Sequence, residues 1–267
     1  MIKGKTTICI VNFKTLDFTR LSLRSIRKFT TYPYEVVVVD NDSRDESLQY
    51  LKSLEWIHLI ERPAKADKPR GGYAHAAALD LGLENCNTEF FVSMHSDAFA
   101  RKDGWLSDLA RYFGDDEAVA CVGSGKVELT PAWRVLLRKA TDVKMFKRRL
   151  LRKPDPLGKF RYYNRTIYCL YRTDILRRER LSFLMDNDKG LTGGKKLYFE
   201  LVDRGYKTVE LPARIMGRLI YHLAHATQVV NPREFTLPEN AVKKCQRLID
   251  KVLSSQVIRE LSRGRLS

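Results

Sequence analysis

The sequence predicts an α/β protein with a doubly wound, mainly parallel sheet and helices on both of its faces. Strand-like and helix-like segments alternate regularly over residues 1–125, as they do in chains built from βαβ units. The connections between these segments are short, which favours crossovers within one sheet. The strand-like runs are continuously apolar, a pattern typical of strands that are covered on both faces.

The first half of this pattern extends to residue 60. Residues 7–12 form a short apolar run and predict the first strand, and residues 19–29 carry apolar side chains at helical spacing. Residues 34–39 are a continuous run rich in valine, and β-branched side chains favour strands. Residues 56–60 predict the third strand.

The second half continues the alternation. Residues 72–83 are rich in alanine, the strongest helix former, and predict a helix. Residues 89–96 predict a fourth strand and residues 118–122 a fifth. Between these two strands, residues 104–113 predict a helix, for which Asp103 is the expected N-cap.

The composition is that of an enzyme-sized chain with an unusual charge. Its 267 residues are 44% hydrophobic, enough for the core of one large domain or of a domain with a smaller lobe. Lysine and arginine number 48 against 32 acidic residues, and the net charge of +16 favours an anionic partner. Phosphorylated substrates, an anionic membrane surface and nucleic acid are such partners. Nucleic acid is the least favoured, because the sequence has no zinc-finger spacing, RNP-type strand or internal repeat.

The sequence also indicates where the protein is located. No apolar run approaches the roughly 18 residues that a membrane-spanning helix needs, and the run at 8–11 is too short for a secretory signal. We therefore expect a cytoplasmic protein. The cysteines are odd in number and lack Cys-x-x-Cys spacing, which predicts reduced, buried thiols. They are Cys9, Cys86, Cys121, Cys169 and Cys245.

Two of the predicted strands end in acidic residues. The strand at 89–96 leads into His95-Ser96-Asp97, and the strand at 34–39 leads into Asp40. In an open α/β sheet, ligands bind at the carboxyl ends of the strands, so we expect both carboxylates in one crevice. Carboxylates placed there can hold a metal-bound phosphate, and the pattern indicates a metal-diphosphate site.

Four short motifs in this region resemble those of family 2 glycosyltransferases with the GT-A fold. The motifs are Ile-Val-Asn-Phe at 10–13, Val-Val-Asp-Asn-Asp-Ser-Arg-Asp at 38–45, Arg-Gly-Gly-Tyr-Ala at 70–74, and Met-His-Ser-Asp at 94–97 with Gly-Trp-Leu at 104–106. Their order and spacing are similar to those of the nucleotide-sugar half of the family over residues 6–113. Residues 201–207 and 221–225 resemble the end of its catalytic domain, whereas residues 124–195 match little.

The resemblance implies metal-dependent transfer of a sugar from a nucleoside diphosphate sugar to a glycan or lipid-linked acceptor, with inversion. A divalent cation, Mn²⁺ or Mg²⁺, would stabilise the charge that grows on the diphosphate leaving group. UDP is the favoured donor nucleotide, because a carboxylate at Asp40 can accept the N3–H of uracil. The residues that the resemblance assigns to donor binding are Asn12, Asp40, Arg70, Gly71, Gly72, His95, Ser96 and Asp97.

The resemblance also implies the metal ligands. Asp97 corresponds to the last position of the family's Asp-x-Asp motif, and His95 occupies the first position, where Asp or Asn is more usual. An imidazole there favours Mn²⁺ or another borderline metal, or it contacts the ribose or a phosphate instead. His222 is the histidine favoured as a further ligand, with His225 second. The alternative is that Asp97 caps the following turn and that these histidines bind buried carbonyls.

This sequence departs from the family pattern at the positions of the general base. Inverting members carry a carboxylate at positions that correspond to residues 192–194, which are Thr-Gly-Gly in this sequence. The nearest upstream carboxylates are Asp188 and Asp186, in a loop-like stretch able to fold over a donor. We therefore predict Asp188 as the base and Asp186 as the second candidate. The alternative is that both belong to a solvated turn.

Residues 131–152 predict an amphipathic helix with one apolar face and a strongly basic remainder. The pattern resembles that of helices that bind anionic lipid, which would make the protein peripheral on the inner face of the membrane. Packing of the apolar face onto the core is the alternative. The expected organisation is a nucleotide-sugar-binding half at 1–125, an acceptor-side half with this helix at 126–232, and a helical, basic C-terminal tail at 233–267.

Two other functions stay open on the sequence alone. A sugar-phosphate nucleotidyltransferase should have a glycine-rich first loop, and residues 12–17 contain no glycine. A non-enzymatic nucleic-acid or membrane-binding module on a degenerate transferase fold would account for the positive charge and for the missing base. Donor hydrolysis would distinguish this module from an enzyme.

Overall fold

The computed structural model describes residues 1–63, 71–125, 137, 150–151, 163–186 and 191–263. Three of the sequence predictions concern residues outside these ranges. They are the donor contact of Arg70, the general base Asp188, and nearly all of the basic helix at 131–152.

Nine strands are found in the described part of the chain. In chain order they are β1 (Ile2–Asn12), β2 (Tyr34–Asp40), β3 (His58–Glu61), β4 (Thr88–His95), β5 (Ala98–Ala100), β6 (Val119–Gly123), β7 (Tyr168–Arg172), β8 (Lys207–Glu210) and β9 (Ile220–His222). All the strands predicted from the sequence are present, as β1 to β4 and β6. The main difference is that β1 begins at Ile2, earlier than expected.

Ten helices accompany these strands within the same described ranges. They are α1 (Leu16–Phe29), α2 (Glu46–Lys52), α3 (Gly72–Glu84), α4 (Trp105–Ala110), α5 (Thr173–Arg178), α6 (Lys195–Asp203), α7 (Ala213–Leu219), α8 (Ala226–Val230), α9 (Glu239–Leu253) and α10 (Gln256–Arg263). The three helices predicted from the periodicity of the first half are α1, α3 and α4. None of the described helices is both long and apolar enough to cross a membrane.

Seven strands form one sheet in the order β3-β2-β1-β4-β7-β6-β8. β7 runs antiparallel to both of its neighbours, and the other pairs are parallel. β5 and β9 form a separate antiparallel pair. The predicted doubly wound, mainly parallel sheet is therefore confirmed. Strands from both predicted halves, 1–125 and 126–232, belong to this sheet, and the boundary between the halves stays a prediction.

The register of the parallel strands brings their carboxyl ends to one edge of the sheet. Asn12, at the end of β1, pairs with Asp40 at the end of β2. Val11 pairs with His95 at the end of β4. The ends of all three strands therefore open onto one crevice, where ligands of open α/β sheets bind.

Apolar side chains cover both faces of the sheet. In β1, Ile8 and Ile10 belong to the core that faces α1, α4, α9 and α10, whereas Cys9 and Val11 belong to the core that faces α3, α5 and α6. Successive side chains of a strand point to opposite faces, so a strand buried on both faces is apolar throughout. The five cysteines are buried and free, as the sequence predicts.

The predicted helical C-terminal tail is confirmed as α9 and α10. α10 packs on α1, where Arg24 donates hydrogen bonds to the carbonyl oxygens of Leu261 and Ser262 at 3.0 and 2.8 Å. Lys28 of α1 also forms an ion pair with Glu260 at 3.1 Å. These contacts hold the tail against the face of the sheet that α1 covers.

The predicted N-cap of α4 is wrong. α4 begins at Trp105, and its N-cap is Gly104 in the left-handed conformation, with φ of 70° and no side-chain cap hydrogen bond. Trp105 is fully buried and packs on Tyr168, with ring centroids 5.2 Å apart. A left-handed residue lets the chain turn directly into this buried tryptophan, and glycine adopts that conformation without strain. Asp103 therefore precedes the cap.

Gly82 of α3 lies against β1, and Gly217 of α7 provides a comparison in a helix with open space around it. An ideal Cβ at Gly82 in α3 would lie 2.3 Å from Cys9 Sγ, whereas one at Gly217 in α7 meets nothing within 4 Å. Alanine is the better helix former by about 1 kcal/mol, which by itself favours both substitutions. We expect Gly217→Ala to raise the free energy of unfolding and Gly82→Ala to lower it by about 1–3 kcal/mol, because the added methyl overpacks the core. Denaturant unfolding measures both changes, and equal stabilisation by the two alanines would contradict the close packing.

Candidate metal centre and its cleft

A cleft of about 340 Å³ opens at the carboxyl ends of β1, β2 and β4. Its walls are these strand ends, the first turn of α3, and residues from the segments 163–167, 192–193 and 222–228. Asp97 is the one carboxylate among the described residues that line it. Negative charge is therefore concentrated at a single point of the cleft.

Three side chains at this point could hold a metal ion. His95 ends β4, Asp97 lies in the turn between β4 and β5, and His222 ends β9. One nitrogen of each histidine and one carboxylate oxygen of Asp97 lie within 4.8 Å of one another. Asp97 Oδ1 is 3.7 Å from His95 Nδ1 and 3.5 Å from His222 Nε2. We refer to these three residues as the His-Asp-His cluster.

The small sheet brings His222 to Asp97. In the antiparallel pair of β5 and β9, Ala98 lies opposite His222. The backbone N–H of Leu223 donates to the carbonyl of Asp97 at 3.1 Å, and the N–H of Ala226 donates to Asp97 Oδ2 at 3.2 Å. Asp97 and Ala226 are 129 positions apart in the sequence. The cluster is therefore formed only by the folded chain.

The donor atoms of the cluster fit a divalent cation. Asp97 Oδ1 and both ring nitrogens of His222 are buried and have no hydrogen-bond partner among the described residues. Buried polar atoms are nearly always hydrogen-bonded, so unpartnered atoms that converge indicate a ligand site. Two ligand atoms ~2.1 Å from one ion lie about 3.0–3.4 Å apart at octahedral or tetrahedral angles, close to the separations in the cluster. Mixed carboxylate and imidazole donors suit Mn²⁺ and other borderline metals.

Two opposing effects act on the pKa of Asp97. Burial alone would raise this pKa, but the attraction of the neighbouring imidazoles of His222 and His95 outweighs burial and holds the pKa well below its usual range. Asp97 is therefore ionised, which is the state that binds a cation.

His75 lines the cleft, although the sequence favours it as a helix-packing residue over a ligand. Its ring lies on α3 and packs edge to face against His95, with ring centroids 4.6 Å apart. Its Nε2 is buried and has no hydrogen-bond partner in the described part of the chain. Burial, together with repulsion from His95, lowers the pKa of His75 to about 3. Its position one helical turn after Gly71-Gly72 is the signal that could have indicated a site residue.

His225 and Ser96 line the same cleft without joining the cluster. His225 has a φ of 63°, and its Nδ1 lies 2.8 Å from Gln228 Oε1. Of His222 and His225, His222 is thus the one in the cluster, and it is also the one that the resemblance favours. Ser96 is buried, and its hydroxyl accepts a hydrogen bond from Thr15 Oγ1 at 3.1 Å.

The predicted donor residues Asn12 and Asp40 lie behind the wall of the cleft. Both are buried, and Asp40 Oδ1 accepts hydrogen bonds from Asn12 Nδ2 and Ser43 Oγ, each at 2.6 Å. Asp40 Oδ2 accepts a further hydrogen bond from the N–H of Ser43 at 2.9 Å. The polar residues that line the cleft beside them are Asn41 and Arg62. Direct contact of Asn12 or Asp40 with a donor stays a prediction.

The N-terminus of α3 forms another wall of the cleft. Gly71 is the N-cap of this helix with φ of 87°, and both Gly71 and Gly72 line the cleft. The helix has 13 residues. Its first backbone N–H groups carry partial positive charge and favour an anion at this end. Both glycines therefore line the cleft at an end of the helix that favours anions, and their contact with a donor stays a prediction.

Closely packed glycines occupy the positions that the resemblance assigns to the base. An ideal Cβ at Gly193 would lie 2.9 Å from Ala76 Cβ, and one at Gly194 would lie 2.5 Å from Thr166 Cγ2. Gly194 is also the N-cap of α6 with φ of 75°, a conformation that favours glycine. The packing of Gly193 on α3 and of Gly194 on Thr166 therefore leaves no room for a carboxylate side chain at these two positions. Asp186 is half-buried and does not line the cleft.

Comparison with known proteins supports the resemblance. The sequence model of the family described as Glycosyl transferase family 2 matches residues 7–179, which is more than half of the chain. No curated protein matches the sequence significantly.

Solved structures align with most of this chain. The mannosyltransferase PcManGT from Pyrobaculum calidifontis, solved in complex with GDP-Man and Mn²⁺, aligns with a TM-score of 0.57 and 14% identity, covering 98% of this chain and 76% of that chain. Residues 1–349 of S. aureus TarS align with a TM-score of 0.48 and 16% identity, covering 98% of this chain and 75% of that chain. The likeness to PcManGT shows the fold that the two chains have in common.

The His-Asp-His cluster predicts that Mn²⁺ stabilises the protein. An ion that binds only the native state raises the melting temperature by mass action. We expect this rise for the wild type, and little or none for Asp97→Ala and His222→Ala. His225→Gly is the matched control, because it removes a cleft histidine outside the cluster and glycine tolerates the φ of 63°. Thermal unfolding with Mn²⁺ or EDTA is the measurement, and a rise retained by both cluster variants would contradict the site.

Proposed function

The chain belongs to glycosyl transferase family 2 and has a GT-A fold, and on this basis we propose that it catalyses a metal-dependent sugar transfer. The proposed donor is a nucleoside diphosphate sugar, with UDP favoured. The proposed acceptor is a glycan or a lipid-linked molecule. The proposed transfer inverts the configuration at the anomeric carbon of the sugar. Family membership favours this activity over the nucleotidyltransferase and the non-enzymatic alternatives.

The observation that carries the proposal is the His-Asp-His cluster beside the N-terminus of α3. Asp97, His95 and His222 are the residues that would hold the cation. Mn²⁺ or Mg²⁺ bound there would neutralise charge on the diphosphate as it leaves. The imidazoles favour Mn²⁺ over Mg²⁺, because Mg²⁺ prefers oxygen ligands. PcManGT, which has the same fold, was solved with GDP-Man and Mn²⁺.

We propose that the diphosphate lies between the cluster and α3. The N–H groups at the start of α3 attract its phosphate oxygens. Gly71 has no side chain and a φ of 87°, so the backbone can approach the phosphates closely. Arg70 precedes this glycine in the sequence and is the proposed side-chain cation at the same site. His95 and Ser96 complete the proposed donor contacts on the opposite wall.

For the general base we propose Asp188, with Asp186 as the second candidate. The ionised Asp97 faces the two histidines of the cluster and is poorly placed to accept a proton as well. Gly193 and Gly194 are packed too closely to be replaced by a carboxylate-bearing residue. The two candidates are then the nearest carboxylates upstream of these glycines in the sequence.

Contacts with α3 support this assignment. Asp80 of α3 accepts hydrogen bonds from Ser182 Oγ at 2.6 Å and from the N–H of Phe183 at 2.7 Å. It also accepts a hydrogen bond from the N–H of Leu184 at 3.2 Å. The helix whose N-terminus lines the cleft therefore also anchors the segment that leads into Asp186.

We propose that the acceptor approaches over the wall formed by Tyr163, Arg165 and Thr192, on the side of the cleft remote from Arg62. The basic helix predicted at 131–152 supports a lipid-linked or membrane-proximal acceptor. Leu137 and Leu150, two members of its apolar stripe, are 55% and 74% exposed. Exposure of these two leucines favours contact with an anionic membrane over packing onto the core.

The proposal predicts that nucleotide and metal bind together. UDP or a related nucleoside diphosphate should raise the melting temperature more with Mn²⁺ than with EDTA, because the cation and the diphosphate share one site. Asp97→Asn should lose the metal-dependent part, since the amide keeps the shape of the carboxylate and removes its charge. The measurement is a thermal-shift screen of nucleotide sugars, followed by detection of the released nucleoside diphosphate. Equal stabilisation of the wild type and Asp97→Asn would rule out this assignment of the site.

A second prediction concerns the base. Asp188→Asn should slow sugar transfer by about 100-fold or more and leave donor affinity almost unchanged, because it removes proton transfer and not binding. Asp186→Asn should slow transfer less. Single-turnover rates and calorimetric donor affinities measure the two effects separately. Wild-type rates in both variants would place the base elsewhere in the chain.

A further inference from the structure

The ring of His95 lies between two other imidazoles of the cleft. Its centroid is 4.6 Å from that of His75, with ring planes at 74°, and 5.6 Å from that of His222, with ring planes at 72°. Both contacts are edge to face, an arrangement that aromatic rings favour. His222 belongs to the His-Asp-His cluster, whereas His75 does not. The contact with His75 therefore comes from outside the set of proposed metal ligands.

Packing, rather than hydrogen bonding, limits the orientation of the His95 ring. A histidine that binds a metal usually donates its other ring N–H to a carboxylate, a carbonyl or water, and this bond orients the ring. His95 Nδ1 faces Asp97 Oδ1 at 3.7 Å, and no hydrogen bond from His95 Nε2 to protein is found within the described ranges. The side chain of His95 is 30% exposed, so one side of the ring is open to the cleft. The neighbouring rings are then what keeps it from turning away.

His75 can hold a neighbouring ring because the helix that carries it is itself held. His75 lies at the end of the first turn of α3. The next residue, Ala76, packs against Gly193, where an ideal Cβ would lie 2.9 Å from Ala76 Cβ. His95 is fixed in turn at the end of β4, where its N–H donates to the carbonyl of Ile167 at 3.0 Å. Dense packing of this kind sets the distance between the two backbones that carry the rings.

His75 offers His95 the surface of an uncharged ring. Its Nε2 is buried and has no hydrogen-bond partner in the described part of the chain. Burial, followed by repulsion from His95, lowers the pKa of His75 to about 3, so the ring is uncharged near neutral pH. An uncharged ring does not repel a cation at the cluster, as the ammonium of a lysine would. These properties suit a residue that supports a metal ligand.

We infer that His75 is a positioning residue, which holds the ring of His95 towards Asp97 and so makes His95 available to the cation. The inference rests on the proposed function, because it concerns the metal of the same site. An imidazole ligand raises the preference of a site for Mn²⁺ over Mg²⁺, since Mg²⁺ prefers oxygen ligands. Loss of the contact with His75 should therefore weaken the binding of Mn²⁺ more than that of Mg²⁺.

A titration of the whole chain with Mn²⁺ tests the inference. Electron paramagnetic resonance measures free Mn²⁺ and gives the affinity for this ion, and competition in the same titration gives the affinity for Mg²⁺. We expect His75→Ala to weaken Mn²⁺ binding about ten-fold or more, as the loss of a group that orients a metal ligand typically does. Its effect on Mg²⁺ binding should be smaller.

Two further variants separate ring packing from hydrogen bonding. His75→Phe keeps a planar ring at this position and removes both ring nitrogens, so it should retain most of the wild-type affinity for Mn²⁺. His75→Gln keeps a polar group of similar reach and removes the ring, so it should lose affinity as His75→Ala does. Alanine and glutamine are good helix formers, and the melting temperature in EDTA checks that each variant is folded.

The matched control is His225→Gly, which removes a cleft histidine outside the cluster and should keep the wild-type affinities for both ions. Wild-type affinity for Mn²⁺ in His75→Ala would overturn the inference. So would rescue by His75→Gln, or failure of His75→Phe to retain the affinity, since either result would mean that the ring surface is not what acts. Equal losses for Mn²⁺ and Mg²⁺ in His75→Ala would also overturn it, because they would indicate a general distortion of the site.

Nucleotide binding tests the proposed function separately. Isothermal titration calorimetry with UDP and GDP, in Mn²⁺ or in EDTA, is the measurement. If Mn²⁺ binds and neither nucleotide does, the proposed function fails, and the comparison of the His75 variants still decides the role of this residue. If the wild type binds no Mn²⁺ in the titration, the inference fails, and the calorimetry still decides the proposed function.

Discussion

The buried hydrogen bond from Asn12 Nδ2 to Asp40 Oδ1 is the interaction on which the geometry of the cleft depends. It joins the ends of β1 and β2 at the register in which these two residues pair. Asn12 Oδ1 accepts hydrogen bonds from the hydroxyls of Thr15 and Thr19, so the same amide also positions the start of α1. A buried polar network is stable only when its members are satisfied together. It therefore holds both strand ends and the first helix in one arrangement.

α3 connects the parts of the site that the sheet does not reach. Its N-terminus lines the cleft, its last turn packs on β1 at Gly82, and Asp80 anchors the segment that leads towards Asp186. His75 on the same helix lies against His95 of the metal cluster. A shift of α3 would therefore move Gly71 and Gly72 in the cleft wall, the segment 182–184 and His75 at the same time. Dense packing along such a helix makes these distances interdependent.

The metal centre is completed by a part of the chain that belongs to neither the main sheet nor the first half. β9 pairs with β5 and carries His222 to Asp97, after which α8 begins with the N–H of Ala226 on the same carboxylate. The end of β4 and the turn after it thus supply two members of the cluster, and a distant strand supplies the third. The cost of burying Asp97 is offset by the imidazoles on either side and by this backbone donor. Asp97 Oδ1 and the ring nitrogens of His222 have no hydrogen-bond partner among the described residues, so they can bind a cation.

The sequence by itself determined the doubly wound sheet, the strands that end in acidic residues, and His95 and Asp97 as neighbours at one strand end. These features are encoded locally, because side-chain alternation in strands and residues at strand ends depend on a few adjacent positions. Only the tertiary structure shows that His222 and not His225 joins the cluster, and that Asn41 and Arg62 and not Asp40 line the cleft. It also shows that His75 packs against His95 of the cluster. Each of these depends on packing between segments far apart in the chain, which no local pattern specifies. The close packing of Gly193 on α3 and of Gly194 on Thr166 likewise could not be predicted from the local sequence.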